Sequence, residues 1–250
     1  MEGVELSDYY AEQAEAYWRK AGKLFRTSER LVAPRLGREA SVSVTGETEV
    51  AFRALARELP DIGGDANMFT PTLVGSVLAL AYMQTLERNG YTRDEAGKAL
   101  YEAYYETFAN LPSFMRWMLR RKEFSARHMA RLRESAEASQ RREYPFNWVL
   151  THVEGNGKDL DFGNDYAECA VLKFLTARGR GEEAYMPYLC ILDLAYSRAI
   201  DSGLMRTGTI YWGAPCCDFR YFEGRESPAT TSYEELPEYR NRRGEGRGRT

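Results

Sequence analysis

The residues best equipped for chemistry lie between His152 and Arg220 of this 250-residue chain. In the run DFGNDYAEC, Asp165 and Cys169 stand four apart with Glu168 beside them, which on a helix puts them on one face. Further on, Cys190, Asp193 and Ser197 recur at spacings of three and four, again one helical face. Arg206 and Thr209 fall in a strand-like stretch, and in CDFR the alternation of a strand separates Cys217 and Phe219 from Asp218 and Arg220. A cysteine beside an arginine has a lowered thiol pKa and is a candidate nucleophile. Glu168 and Asp165 are candidates to activate water, and His152 to carry a proton. Arg206 and Arg220 are candidates to grip a carboxylate, with Asp193 and Thr209 as further substrate contacts.

Each of these has a plainer reading. Cysteine is among the most buried residue types, so any one of Cys169, Cys190, Cys216 and Cys217 serves equally as core packing. Asp218 with Arg220, or Asp193 with Arg206, makes an ion pair. Asp165 suits a helix start, and His152 suits a satisfied core position. Polar groups on half-buried elements are costly unless paired, so together they form either a structural network or a site.

The elements that position them divide the chain in two. Up to about residue 145 the pattern is helical. Ser7 caps a helix to about Leu31, with Tyr10, Ala14, Tyr17, Ala21 and Phe25 on its stripe; Thr45 caps the next. Thr70 and Pro71 open an apolar helix that stops at Gly90, and Thr92 with Glu95 has capping-box spacing. A charged helix from about Ser125 to Arg142 reads as a solvated face. Phe146–Val153 is strand-like and precedes the turn GNGKD. Two helices follow, 161–178 and 182–202, then strands over 204–212 and 217–222 joined by Gly213-Ala214-Pro215. The fold class expected is α+β: a mainly helical N-terminal half packed on a small antiparallel sheet with two helices. Residues 1–223 form one compact unit, 1–145 helical and 146–223 mixed. The polar, arginine-rich stretch 224–250 is expected to be disordered.

Composition excludes several classes of function. A net charge of -3 provides no basic field for nucleic acid. No apolar run reaches the roughly 20 residues of a membrane span; the longest, Leu73–Met83, is interrupted by Gly75 and Ser76. The acidic start MEGVELSDYY lacks the basic lead of a secretory signal, so a cytoplasmic chain with four free thiols is expected. No dinucleotide fingerprint, phosphate loop or nucleophile elbow is present, and His128 and His152 have no paired metal-ligand spacing. No cofactor and no metal are expected. The partner expected is a small-molecule substrate, and the 17 tyrosines serve core, pocket or a homo-oligomer interface.

The order DFGNDYAECAVLKF, PYLCILD, RTGTI, CCDFRYF, together with the earlier NMFTPTLVGSVLALAYMQTLERNGYTRDEAGKAL, resembles the L-2-amino-thiazoline-4-carboxylic acid hydrolase family over about residues 65–223. The Asp-Tyr-x-Glu-Cys run, the Cys three before an Asp, the Thr-Ile strand and the Cys-Asp-Phe-Arg ending carry that resemblance; Cys216, directly before the ending, departs from it. It implies hydrolytic opening of a five-membered amidine ring that bears a carboxylate, giving a carbamoyl-cysteine. Two routes fit. In the first, Cys217 or Cys169 attacks the carbon between nitrogen and sulfur. In the second, Glu168 or Asp165 activates water while a neighbouring acid protonates the ring nitrogen. The same groups would serve a cyclase, lyase or isomerase of specialised metabolism, or a module that binds a small molecule without turning it over.

Overall fold

The structure, a computed structural model, describes residues 8–242. Helices dominate its first part: α1 (Asp8–Lys20), α2 (Gly22–Leu36), α3 (Arg38–Ala56), α4 (Thr70–Arg88), α5 (Arg93–Ala109), α6 (Ser113–Glu123) and α7 (Ala126–Ser139). Strands β1 (Val149–Glu154) and β2 (Phe162–Glu168) follow, then α8 (Ala170–Ala177), α9 (Met186–Ile200), β3 (Cys217–Tyr221) and the short α10 (Pro237–Arg240). The three strands form one antiparallel sheet in the order β1-β2-β3. The fold is α+β, as its residue pattern implied.

The centre of the helical part is α4. Pro71 sits in its first turn, where no backbone N–H is needed. Leu73, Val77, Leu80, Met83 and Leu86 are fully buried, each contributing about 1.5–3 kcal/mol by leaving water. Gly90 (φ 86°) provides the left-handed stop. Next, Thr92 and Glu95 close the expected capping box. Helices α5 and α9 approach so closely at Gly97 that a Cβ there would lie 2.1 Å from the Tyr188 ring. The sheet is anchored through Ser139 at the end of α7, whose hydroxyl accepts from Leu150 N at 3.1 Å, and through Gln140, whose amide donates to Leu150 O at 2.8 Å.

Several expected boundaries differ. The first helix is broken at Ala21 into α1 and α2, and the proposed cap Ser7 lies outside the described residues. Thr45 is inside α3 rather than at its start; its hydroxyl donates to Glu29 on α2 at 2.7 Å. The expected helix 161–178 is two elements, strand β2 and helix α8. A spacing of four shares a face in a strand as well as in a helix, so Asp165 and Cys169 did not discriminate between them. What decides is that β2 pairs on both sides, with β1 and with β3.

The expected strand 204–212 is also absent as such. Met205 makes one bridge to Arg220. The Asp218 side chain then takes the N–H groups of Thr207 (2.8 Å) and Gly208 (2.7 Å) and the Thr207 hydroxyl (2.6 Å). A carboxylate thus occupies the place of a ladder partner, and the chain leaves the sheet for a 3₁₀ turn at Ile210–Trp212. The expectation of disorder over 224–250 also meets a packed segment. Leu236 and Glu238 are buried, and Trp212, Tyr233 and Tyr239 pack together; residues 243–250 lie outside the described part.

Candidate functional site

A cavity of ≈ 290 Å³ opens between the sheet, α9, the start of α4 and the junction of α6 with α7. The strand alternation sets its floor. Asn164 and Tyr166 of β2 and Cys217 and Phe219 of β3 point into it. From α9 come Cys190 and Asp193, three apart on one face as the sequence suggested. Cys169 enters at the start of α8, Arg206 and Thr209 from the loop after α9, and Glu123 and His128 from either side of the α6–α7 junction.

Of the residues singled out from sequence, Cys217, Cys169, Arg206, Asp193 and Thr209 therefore line one cavity. His152 stands one step behind it. Its side chain is 6% exposed, and its Nδ1 is 3.0 Å from the Asn164 amide oxygen. The other three are elsewhere. Asp165 and Arg220 face the opposite side of the sheet and pair with each other at 2.8 Å, because their positions alternate with the cavity-facing ones. Glu168 is held by Lys173 and Arg142, and Lys173 foremost keeps its carboxyl below the usual range. None of these three reaches the cavity.

Arg206 is the fixed charge of the cavity. Its side chain is 1% exposed, and its guanidinium lies 5.2 Å from the centre of the Phe219 ring. Nε donates to Oε1 of Glu238 at 2.6 Å; Glu238, from α10, is 3% exposed. Nη1 is 3.6 Å from Oδ2 of Asp193, beyond hydrogen-bond reach, and has no hydrogen-bond partner among the described residues. A buried guanidinium nitrogen without an acceptor is a costly arrangement that an anionic ligand would relieve.

Two carboxyl groups are shifted toward neutrality. Burial raises Asp193 to about 6, with Arg206 opposing. Its side chain is 46% exposed, but that surface faces the cavity, where surrounding atoms still deprive it of bulk water. Burial raises Glu123 to about 7, with the nearby Ser202 hydroxyl opposing and Asp193 adding to the shift. Glu123 Oε2 has no hydrogen-bond partner among the described residues. His128 is pushed down by burial and by neighbouring cations, which favours its neutral form.

The thiols behave in the opposite way from an activated nucleophile. Burial raises Cys169, Cys190 and Cys217, the last to about 12, although Ile210 N–H donates to its sulfur at 3.2 Å. Cys216 is raised as well. Arg206 does act on Cys190 and Cys217 in the lowering direction, as expected of a cation, but desolvation outweighs it. All four are free thiols.

A family model matches residues 73–221, from within α4 to the end of β3; it describes L-2-amino-thiazoline-4-carboxylic acid hydrolases. The chain belongs to this family. No curated protein and no solved structure matches it. The matched stretch includes Glu123, His128, Cys169, Asp193, Arg206 and Cys217, whereas Glu238, the partner of Arg206, lies beyond it.

Glu123 and His128 were not singled out from sequence for this site. Glu123 ends α6, a helix that carries Met115, Trp117 and Met118, and His128 opens a helix read as a solvated face. That helix is indeed largely exposed, but His128 and Leu132 turn inward. Glu238 fell in the stretch expected to be disordered. Among the described residues no group of three or more His, Cys, Asp or Glu is arranged to hold a metal ion. No described helix is long and apolar enough to cross a membrane.

Proposed function

We propose that the chain hydrolyses a small cyclic amidine that bears a carboxylate, a ring of the amino-thiazoline carboxylate type, by carboxyl-assisted attack of water. The observation that carries this reading is the buried Arg206 nitrogen without an acceptor, set beside Asp193 at 3.6 Å in a cavity that also holds Glu123.

The substrate carboxylate binds Arg206. Its negative charge, placed next to Asp193, raises that carboxyl further and draws a proton onto it. Protonated Asp193 gives its proton to the ring nitrogen, which makes the carbon between nitrogen and sulfur more electrophilic. Glu123, ionised, takes a proton from water as the water oxygen adds to that carbon. The ring carbon–nitrogen bond then breaks, and the departing nitrogen takes the proton held by Glu123 and leaves as an amine. The hydroxyl on the carbon returns its proton to Asp193 as it becomes a carbonyl, so the product contains one added water. Two carboxyls with pKa values near neutral and one proton between them suit such work at neutral pH. The cysteines enter as neutral thiols that shape the cavity, since a thiol at about 12 supplies almost no thiolate near pH 7.

The test is to incubate the purified chain with L-2-amino-thiazoline-4-carboxylate in heavy-oxygen water and follow ring opening by mass. Product carrying one labelled oxygen, abolished in Asp193→Asn and Glu123→Gln, is the expected result. Conversion without label would replace hydrolysis by an isomerase, cyclase or lyase reaction. Full turnover in Asp193→Asn would remove that carboxyl from the chemistry.

A further inference from the structure

Asp193 borders a second cavity. With ≈ 750 Å³ it is much larger than the first, and it runs along α4 between α1 and α2 on one side and α5 and α9 on the other. Thr72, Ser76, Leu189 and Asp193 line both, so the two spaces adjoin at the Asp193 side chain. The inner walls are mainly apolar, with Phe25 and Leu78 buried in them.

Gly75 lies on the floor of this second cavity, in the interior of α4. A Cβ built there meets nothing within 4 Å, and its φ is not positive. Neither packing nor backbone geometry requires a glycine, yet glycine inside a helix costs roughly 0.5–1 kcal/mol relative to alanine. Gly75 is solvent-exposed, and its missing side chain leaves this part of the floor bare. The walls that α1 and α2 contribute also lie outside residues 73–221, the part matched by the family model.

We propose that the substrate carries an apolar arm, which runs from the ring past Asp193 into the second cavity, so that the true substrate is an amphiphilic carboxylate rather than a bare ring acid. This rests on the reading of Arg206 as the carboxylate anchor. The first cavity holds the polar, reacting head. The second, within the roughly 300–1,000 Å³ typical of pockets for drug-sized molecules, takes the arm. The geometry divides the work: charge recognition at Arg206, chemistry at Asp193, and selection of the substituent along α4.

The experiment is calorimetric titration of the full chain with a series of 2-alkylamino-thiazoline-4-carboxylates, from methyl to octyl. Three proteins are compared: the wild type, Gly75→Leu, and the paired Arg206→Met/Glu238→Leu. In the wild type the octyl member binds at least about 30-fold more tightly than the methyl member. In Gly75→Leu the methyl affinity is unchanged, the thermal midpoint does not fall, and the octyl gain shrinks to below about threefold. Affinity independent of chain length overturns the arm, and a full octyl gain in Gly75→Leu overturns its placement. Methyl binding that survives in Arg206→Met/Glu238→Leu overturns the anchor instead, while the length dependence still decides the arm. Absence of binding by every member overturns both.

Discussion

Breaking the buried pair between Arg206 and Glu238 separates what this arginine does for the fold from what it does for a ligand. With side chains 1% and 3% exposed, neither charge has water to fall back on. Arg206→Met alone strands the Glu238 carboxylate, whose Oε2 already lacks a hydrogen-bond partner among the described residues. The expected cost is about 3–5 kcal/mol, or roughly 6–20 °C in thermal midpoint for a chain of this size. Glu238→Gln keeps the acceptor for Nε but leaves the cation to Asp193 at 3.6 Å; its cost is smaller, about 1–3 kcal/mol. In Arg206→Met/Glu238→Leu both charges leave together, and most of the loss is recovered, because a buried pair replaced by apolar side chains is often neutral or stabilising. The assay is thermal unfolding of the four proteins with and without the amino-thiazoline carboxylate. Stability returns in the double variant; the midpoint rise on adding ligand does not. A double variant that regains both stability and ligand response would show that Arg206 only holds α10 in place, and the anchor reading would be wrong.

The pH dependence of kcat/KM follows from the two shifted carboxyls. Activity rises through about 6 and falls through about 7, as the pair passes from two protons to one to none; the limbs belong to the pair and not to either residue. A flat profile between 5 and 8 would contradict the assignment. The same shifts have a stability consequence of opposite value. Glu123 is raised from 4.5 to about 7 in the folded chain, so between those values the folded state holds a proton that the unfolded state has lost, and stability falls as pH rises. Glu123→Gln is therefore more stable than the wild type in a melt at pH 8, with the difference gone at pH 4. Cys217→Ser and Cys169→Ala each retain turnover within about tenfold, and iodoacetamide labels neither thiol appreciably at pH 7, as peptide mass mapping would show; a loss beyond a hundredfold in either would restore the covalent route. Gly97→Ala forces the Tyr188 ring away from α5 and costs about 1–3 kcal/mol in a urea titration.

Local chemistry was legible where it is decided by neighbours in the chain. Thr92 and Glu95 are three apart and close their box, Gly90 ends α4, and Cys190 and Asp193 share a face of α9, all as their spacing implied. The strand alternation of Cys217 and Phe219 against Asp218 and Arg220 also held, and with it the arrival of Cys217 in the cavity. What spacing did not decide was the element type of Asp161–Arg178, since Asp165 and Cys169 share a face in either kind of element. That single ambiguity carried Asp165 and Glu168 into the expected site; the register of β2 turns Asp165 to the far side of the sheet, and Lys173 and Arg142 hold Glu168 away at the strand's end.

The sequence by itself determined the α+β class, the family and the segments from which Arg206, Asp193 and the cysteines come. Only the tertiary structure decided their ionisation. The expected lowering of a thiol by a nearby arginine is overruled by desolvation, and the carboxyls that titrate near neutrality are Asp193 and Glu123 rather than Glu168. Glu238 meets Arg206 from a stretch whose composition reads as tail. The reason is physical: spacing along a chain fixes which side chains share a face, but the cost of a charge depends on every atom packed around it, and those atoms come from segments far apart in sequence.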